Sequence, residues 1–250
     1  MRAIRIAALA VSALLLYGCE TTRQQADTGF QPPKGNYRVI VMQPDVTAGL
    51  LTAGGIVEPR EDWTNAARDN VVKAVEARET QHGAVVKIAA TNQDTGWDPG
   101  ASEDLILLHR AVGTAIVMHK YGLQPLPTKQ NNFDWTLGEQ AVAFGVATHY
   151  DYALFLSAQD SFSSGGRVAL QAAGFLGCLV GVCVGVPGGQ QVAFASLVDL
   201  KTGSVVWFNV LTSGIGDIRT PEGANQMVGK LLEKLTSESS PAKQASHTHT

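Results

Sequence analysis

Two apolar runs, residues 191–200 and 204–211, meet at Asp199-Leu200-Lys201-Thr202-Gly203, and this junction constrains the fold more than any other stretch of the chain. An aspartate side chain can bond the backbone two residues on, and a glycine takes positive φ without steric cost, so the junction has the chemistry of a tight hairpin. The chain therefore ends its sheet with an antiparallel pair. Side chains alternate faces along a strand, so a one-residue slip would invert both runs, and a pair this apolar is held in register by burial.

Upstream, strand-like and helix-like periods alternate. Residues 37–42, Tyr-Arg-Val-Ile-Val-Met, read as a strand that stops at Pro44 and is followed by a glycine-rich loop. Residues 64–80 carry Ala67, Val71, Val72, Val75 and Ala77 at helical spacing behind Thr64 as N-cap. Residues 85–89 read as a second strand. A second helix begins at Ser102, with Asp104 in its first turn, and runs through Leu105, Leu108, Val112 and Ile116 to a stop at Gly122. Pro125 and Pro127 separate it from a third helix over 135–148, and residues 152–157 form another strand. Pro221 opens a final amphipathic helix through Met227, Leu231, Leu232 and Leu235. Strands linked through helices run parallel, whereas the hairpin is antiparallel. The order thus predicts an α/β fold (α+β mixed), a mixed β-sheet flanked by helices, with a Gly-rich apolar excursion before the C-terminal hairpin.

The first residues belong to a different regime. Arg2 and Arg5 precede an apolar run over residues 6–17, too short for the roughly 20 residues that span a bilayer. Residues 1–18 therefore read as a removable signal peptide. Leu16-Tyr17-Gly18-Cys19 resembles the lipobox of bacterial lipoproteins, which implies lipidation of Cys19 on its sulfur and new amino group. Several acyl chains at about 0.8 kcal/mol per buried CH2 make such an anchor permanent. Glu20, by the same resemblance, implies the outer membrane, periplasmic face, with the inner membrane as the alternative. Residues 19–36 form the lipidated cysteine and a polar tether with a Pro-Pro pair, 37–236 a single periplasmic domain, and 237–250 a disordered tail. Removing Arg2 and Arg5 with the signal takes the formal charge from −3 to −5, and with no basic cluster nucleic acid is excluded as a partner.

Several of these elements also resemble a known group. The strand Tyr37-Arg38-Val39-Ile40-Val41-Met42 ending in Pro44-Asp45, the strand entered through Tyr150-Asp151-Tyr152, and the hairpin from Ser196 through Asp199 and Gly203 to Trp207 look like small periplasmic lipoproteins of the curli-secretion and polysaccharide-export group. The N-terminal domain of TolB is similar in layout. The resemblance implies a mixed sheet flanked by helices and a non-enzymatic role in envelope assembly or export, sometimes as rings. Residues 161–167 and the apolar segment after them depart from the simplest members.

That segment, residues 168–186, reads VALQAAGFLGCLVGVCVGV and holds no charge. Gly177, Gly181 and Gly185 recur every four residues, so in one continuous helix they would form a smooth stripe for a membrane or subunit contact. Alternation of Val182, Val184 and Val186 with Cys183 and Gly185 suits a β-hairpin instead. Three readings stand: a buried or oligomer-facing element, a membrane insertion, and a flexible flap. Cys178 and Cys183 are a possible disulfide in an oxidising periplasm, and they could bridge only across a turn between them, because residues five apart on a helix point about 140° away from each other.

No constellation for catalysis, cofactor or metal emerges. His109 and His119 fall on different sides of one helix, His247 and His249 lie in the tail, and no HExxH or nucleophile elbow occurs. Asp151 and Asp160 flank a strand and read as solvated strand-end carboxylates. Ser163-Ser164-Gly165-Gly166-Arg167 lacks the lysine of a phosphate loop and reads as a turn. The expected role is a non-enzymatic binding or assembly component of an envelope export or biogenesis machine, with lipid, envelope proteins or its own copies as partners. The alternatives are a small envelope hydrolase using Asp151, His149 or His109, and a pore-forming oligomer subunit.

Overall fold

The computed structural model describes residues 22–26, 37–79, 85–129, 132–179, 181, 185–212 and 216–237. An eight-stranded mixed sheet is built from β1 (Thr22–Ala26), β2 (Arg38–Val41), β3 (Asp45–Leu51), β4 (Val57–Pro59), β5 (Val85–Ile88), β6 (Tyr152–Ser163), β7 (Gln191–Asp199) and β8 (Val205–Thr212). Its helices are α1 (Glu61–Glu79), α2 (Pro99–Ile116), α3 (Gly138–Thr148), α4 (Gly165–Leu179) and α5 (Pro221–Ser237).

β6 is the spine. It runs antiparallel to β7 from Tyr152↔Asp199 to Asp160↔Gln191. On its other side it is parallel first to β2, then to β3 from Asp45↔Ser157 to Leu51↔Ser163. Pro44, which has no N–H to give a ladder, sits at the break between those two strands. β5 lies outside β2, β4 outside β3, β8 outside β7, and β1 closes the far edge by pairing antiparallel with β8. The mixed α/β sheet flanked by helices, expected from the hairpin, is what forms. Gly203 takes φ 71° in the turn, as its position in the hairpin requires.

Alternation along the strands divides the sheet's side chains between two cores. Val39, Val41, Leu154, Leu156, Ala195, Leu197 and Trp207 face α1 and α5, whose Ala67, Val71, Met227, Val228 and Leu231 cover them. Ile40, Ala153, Phe155, Phe194, Val198 and Phe208 face α2 and α3, represented by Leu105, Ile116, Ala141 and Phe144. A three-layer sandwich follows, and Trp207 and Phe208, adjacent in sequence, anchor opposite layers.

The structure departs from the sequence reading at several boundaries. The glycine-rich loop after Pro44 is in fact β3, with Val46, Ala48 and Leu51 buried. Thr64 does not cap α1, which begins at Glu61; its hydroxyl instead donates to Ala48 O and accepts from Ala48 N. α2 starts at Pro99, where the Asp98 side chain accepts from Ala101 N at 2.8 Å, because Ser102 is buried against Thr95. α3 starts only at Gly138, since Trp135 O accepts from Val205 N and Thr136 bridges to Ser204 at the sheet edge. Residues 22–26, read as tether, are a paired strand; residues 27–36 and 238–250 lie outside the described residues.

Candidate functional site at one end of the sheet

α4 leaves the sheet from the C-terminal end of β6, and the chain returns through residues 185–190 to start β7. Ser164 caps the helix: its Oγ accepts from Arg167 N at 3.2 Å while its O accepts from Val168 N. The return segment is clipped to β6, with Gly189 N donating to Ser163 Oγ at 3.0 Å and Gln190 N to Ser161 Oγ at 2.9 Å. The apolar excursion is thus a rooted helix on a strand end.

The orientation of that helix is inverted for a water-facing element. Its polar side chains turn inward: Arg167 Nε donates to Pro187 O at 2.9 Å and its Nη1 to Ala53 O at 3.3 Å, and Gln171 Nε2 lies against Gly188. Its large apolar side chains turn outward, Phe175 at 65% exposed and Leu176 at 59%, with Val168 and Leu170 also exposed. At 100° per residue, Phe175, Val168, Ala172 and Leu176 form one continuous outer arc, while Arg167, Gln171 and Gly174 share the inner one. A surface helix ordinarily does the opposite. The tip between β3 and β4 adds to the same end. Ile56 is 68% exposed, Val57 is exposed beside it, and Ala53 of this tip is the residue that Arg167 holds.

The glycine stripe expected over 177, 181 and 185 does not form. The helix ends at Leu179, Gly181 turns the chain at φ 87°, and Gly185 lies in the return segment, so only Gly177 is on the helix, half-buried. Cys178 is disulfide-bonded. Cys183 and Cys19 lie outside the described residues, as do His82, His247 and His249. No helix among the described residues is long and apolar enough to cross a membrane.

Beside α4, Asp160 corrects a second expectation. It is buried rather than solvated, in a cleft of about 230 Å³ lined by Thr47, Gln159 and Val192. Gln191 Nε2 donates to its Oδ2 at 2.8 Å. Burial pushes its pKa up to about 6, with the Asp217 charge adding to the rise and Gln191 and Arg219 opposing it. Arg219 is committed elsewhere: it forms a two-point pair with Asp217 at 2.7 and 2.9 Å and lies 3.6 Å over the Phe162 ring and 4.4 Å over Trp63. An acid whose folded pKa is raised contributes stability that is full below its unfolded value near 3.8 and is lost as pH rises through about 6. Asp160→Asn keeps the acceptor for Gln191 and removes the ionisation. It should raise stability at pH 7.5 by about 1–2 kcal/mol, with little change at pH 4, in urea melts. A loss at pH 7.5 would mean that the carboxylate is used there.

Of the residues of the hydrolase alternative, His149 and Asp151 lie together where α3 meets β6, and His109 stands apart from them in the core. Asp151, accepting from Arg38 N at 2.9 Å, and Asp160 stand at opposite ends of β6, about 30 Å apart at 3.3 Å per residue. His149 closes α3 in the left-handed region at φ 60°. His109 is in the core, its Nε2 2.8 Å from Ser196 Oγ and its ring stacked on Phe155 at 4.7 Å. Both members of this Ser–His contact are under 2% exposed, so a substrate reaches them only if α2 lifts from the sheet. Among the described residues no three His, Cys, Asp or Glu side chains are grouped to hold a metal. The sequence reading missed the inward turn of Arg167 and Gln171. Their i, i+4 spacing held the signal, but only once the segment is known to be a helix.

No protein-family model and no curated protein sequence matches the chain. Among solved structures it is similar to a PelC dodecamer from Paraburkholderia phytofirmans that carries a single leucine-to-methionine substitution, at 15% identity and TM-score 0.37 over 87% of this chain and 98% of that one. A second PelC dodecamer from the same organism gives 14% and 0.36 over 87% and 97%. The LpoB C-terminal domain from Salmonella enterica gives 10% and 0.28 over 74% and 84%.

Proposed function

We propose that this chain is a membrane-anchored envelope lipoprotein, held by Cys19, that acts by contact rather than by catalysis, as a component of an envelope export or biogenesis assembly. The observation that carries this reading is α4, whose polar groups are spent inward on Pro187 O and Ala53 O while Phe175, Leu176 and Val168 are presented outward. A helix so arranged exposes apolar area at about 25 cal/mol per Å2, a cost that a covering surface would return. The Ser–His contact of His109 and Ser196 is a core hydrogen bond in this reading. The sheet and its two helical layers hold the contact end rigid, and the remaining surfaces are left for envelope proteins or further copies of the chain.

Crosslinking in intact envelopes with native lipidation, followed by pull-down, tests it. A defined set of envelope proteins, or a ladder of the chain's own multiples, is the expected recovery. Recovery of background alone, together with turnover of an envelope substrate by the purified protein, would replace it with the hydrolase reading.

A further inference from the structure

The register of β1 says which surface covers α4. β1 pairs Thr22 with Leu211 of β8, Leu211 pairs with Ala193 of β7, and Ala193 pairs with Ala158 of β6. Thr22 is therefore level with Ala158, five residues before the end of β6, and β1, which runs antiparallel to β6, points backward toward the end that carries α4. The tip between β3 and β4 is there too, since Leu51 pairs with Ser163 at the last position of β6. Going backward, β1 is directed to this end, and only two residues, Glu20 and Thr21, stand between Thr22 and Cys19, a span of three Cα steps. Three steps reach at most about 10 Å. A lipid on Cys19 is thereby held within that distance of Thr22, on the side of the sheet toward α4.

The exposed apolar side chains are distributed accordingly. Of the ten large exposed ones among the described residues, six are at this end: Ile56, Val57, Val168, Leu170, Phe175 and Leu176. The opposite end carries Asp151, His149, Asp199 and Lys201 at the start of β6 and the hairpin turn. The molecule is polarised along its strands, with the start of β1 directed toward the apolar pole.

We infer that this pole seats in the leaflet that holds the Cys19 acyl chains, with the outer arc of α4 and the β3–β4 tip lying in the lipid interface as a second contact beside the anchor. The inference rests on the lipid-anchored reading above. The occupant is a lipid surface. A helix of 15 residues lies in an interface rather than crossing it, and turning Arg167 and Gln171 into the protein leaves the lipid-facing arc free of polar groups. Two contacts, one covalent and one packed, would fix the sheet axis relative to the membrane, where a tether alone would let the domain tumble.

The test uses the full chain produced with its native leader, purified in detergent and reconstituted into phosphatidylethanolamine–phosphatidylglycerol vesicles containing phosphatidylcholine brominated at acyl carbons 6 and 7. Phe175→Trp reports from the apolar pole, and Val146→Trp, at an exposed position on α3 toward the other end, is the control; wild-type emission is subtracted from each. The mass of the N-terminal peptide reports acylation of Cys19. The expected result is bromolipid quenching of the emission added at 175 at least twofold greater than at 146. Equal quenching with Cys19 acylated would overturn the second contact and leave the anchor standing. Emission at 175 that is blue-shifted yet unquenched would overturn it in favour of cover by protein. If Cys19 carries no lipid the anchored reading fails. The same vesicles with unlipidated protein then decide the contact separately, since quenching at 175 supports it and none overturns it.

Discussion

Gly113→Val should abolish the cooperative urea transition, or cut stability by about 4 kcal/mol or more, although the position is one turn from the end of a helix that ordinarily prefers almost any residue to glycine. A Cβ at Gly113 would stand 2.1 Å from Cε2 of Phe194 and 2.7 Å from its Cδ2. That ring cannot step aside cheaply. It is buried, stacked against Phe208 at 5.8 Å and tilted against His109 at 5.5 Å, so any shift propagates through the core beneath α2. Even Gly113→Ala, which gains up to about 1 kcal/mol of helix propensity, should lose more than that through overpacking of about 1–3 kcal/mol. The decisive measurement is a double-mutant cycle. Phe194→Leu alone should destabilise, yet in the Gly113→Ala background it should recover part of the loss, with a coupling above about 1 kcal/mol. Simple additivity would show that α2 does not owe its position to this contact.

Acid should expose the cost of His109. Burial lowers its pKa from 6.5 to about 3, so the native state resists a proton that the unfolded chain accepts. For a depressed pKa, the contribution is complete above the unfolded value of 6.5 and is lost as pH falls toward about 3. Each pH unit inside that window costs about 1.4 kcal/mol, giving roughly 3 kcal/mol between pH 7 and pH 4.5. Asp160 works in the opposite direction between about 6 and 3.8, and burial also raises Asp45, which Arg110 meets at 3.3 Å. The wild-type stability curve should consequently look flatter than its parts. His109→Gln retains a donor for Ser196 and does not titrate. It should be less stable at pH 7 through the lost stacking, but its stability in urea melts should fall by about 3 kcal/mol less than that of the wild type on acidification to pH 4.5. Parallel curves for the two proteins would mean that the imidazole takes up its proton in the folded state at an ordinary pH.

The sheet is legible in the sequence where side chains alternate over a long run and turn chemistry marks the end. Asp199 to Gly203 is such a place, and the pairing of β7 with β8 follows from it. β3 is not legible in this way. Its sequence, DVTAGLL, contains a glycine and a small residue where a strand usually shows bulk, and it becomes a strand because β6 offers it seven parallel partners. β1 is similar: TRQQA has no apolar period, and its pairing with β8 is supplied by the partner's edge. At the candidate site the apolar character of residues 168–179 is plain from the sequence, but its direction is not. Periodicity says that Arg167 and Gln171 share a helical face; that this face is the inner one depends on Ala53 and Pro187, carbonyls brought from distant parts of the chain. Asp160 reads as solvated because strand ends usually are, whereas β6 runs three residues beyond it and carries it into the sheet.

Pairing β1 with β8 also fixes an order of events. The two strands stand about 185 residues apart in the chain, the kind of long-range contact whose closure is slow. In a polypeptide delivered N-terminus first, β1 emerges early and has no strand to bind until β7 and β8 have followed. β1 therefore stays without its partner strand until the last part of the sheet has been made. It joins the sheet only when nearly the whole domain has been synthesised.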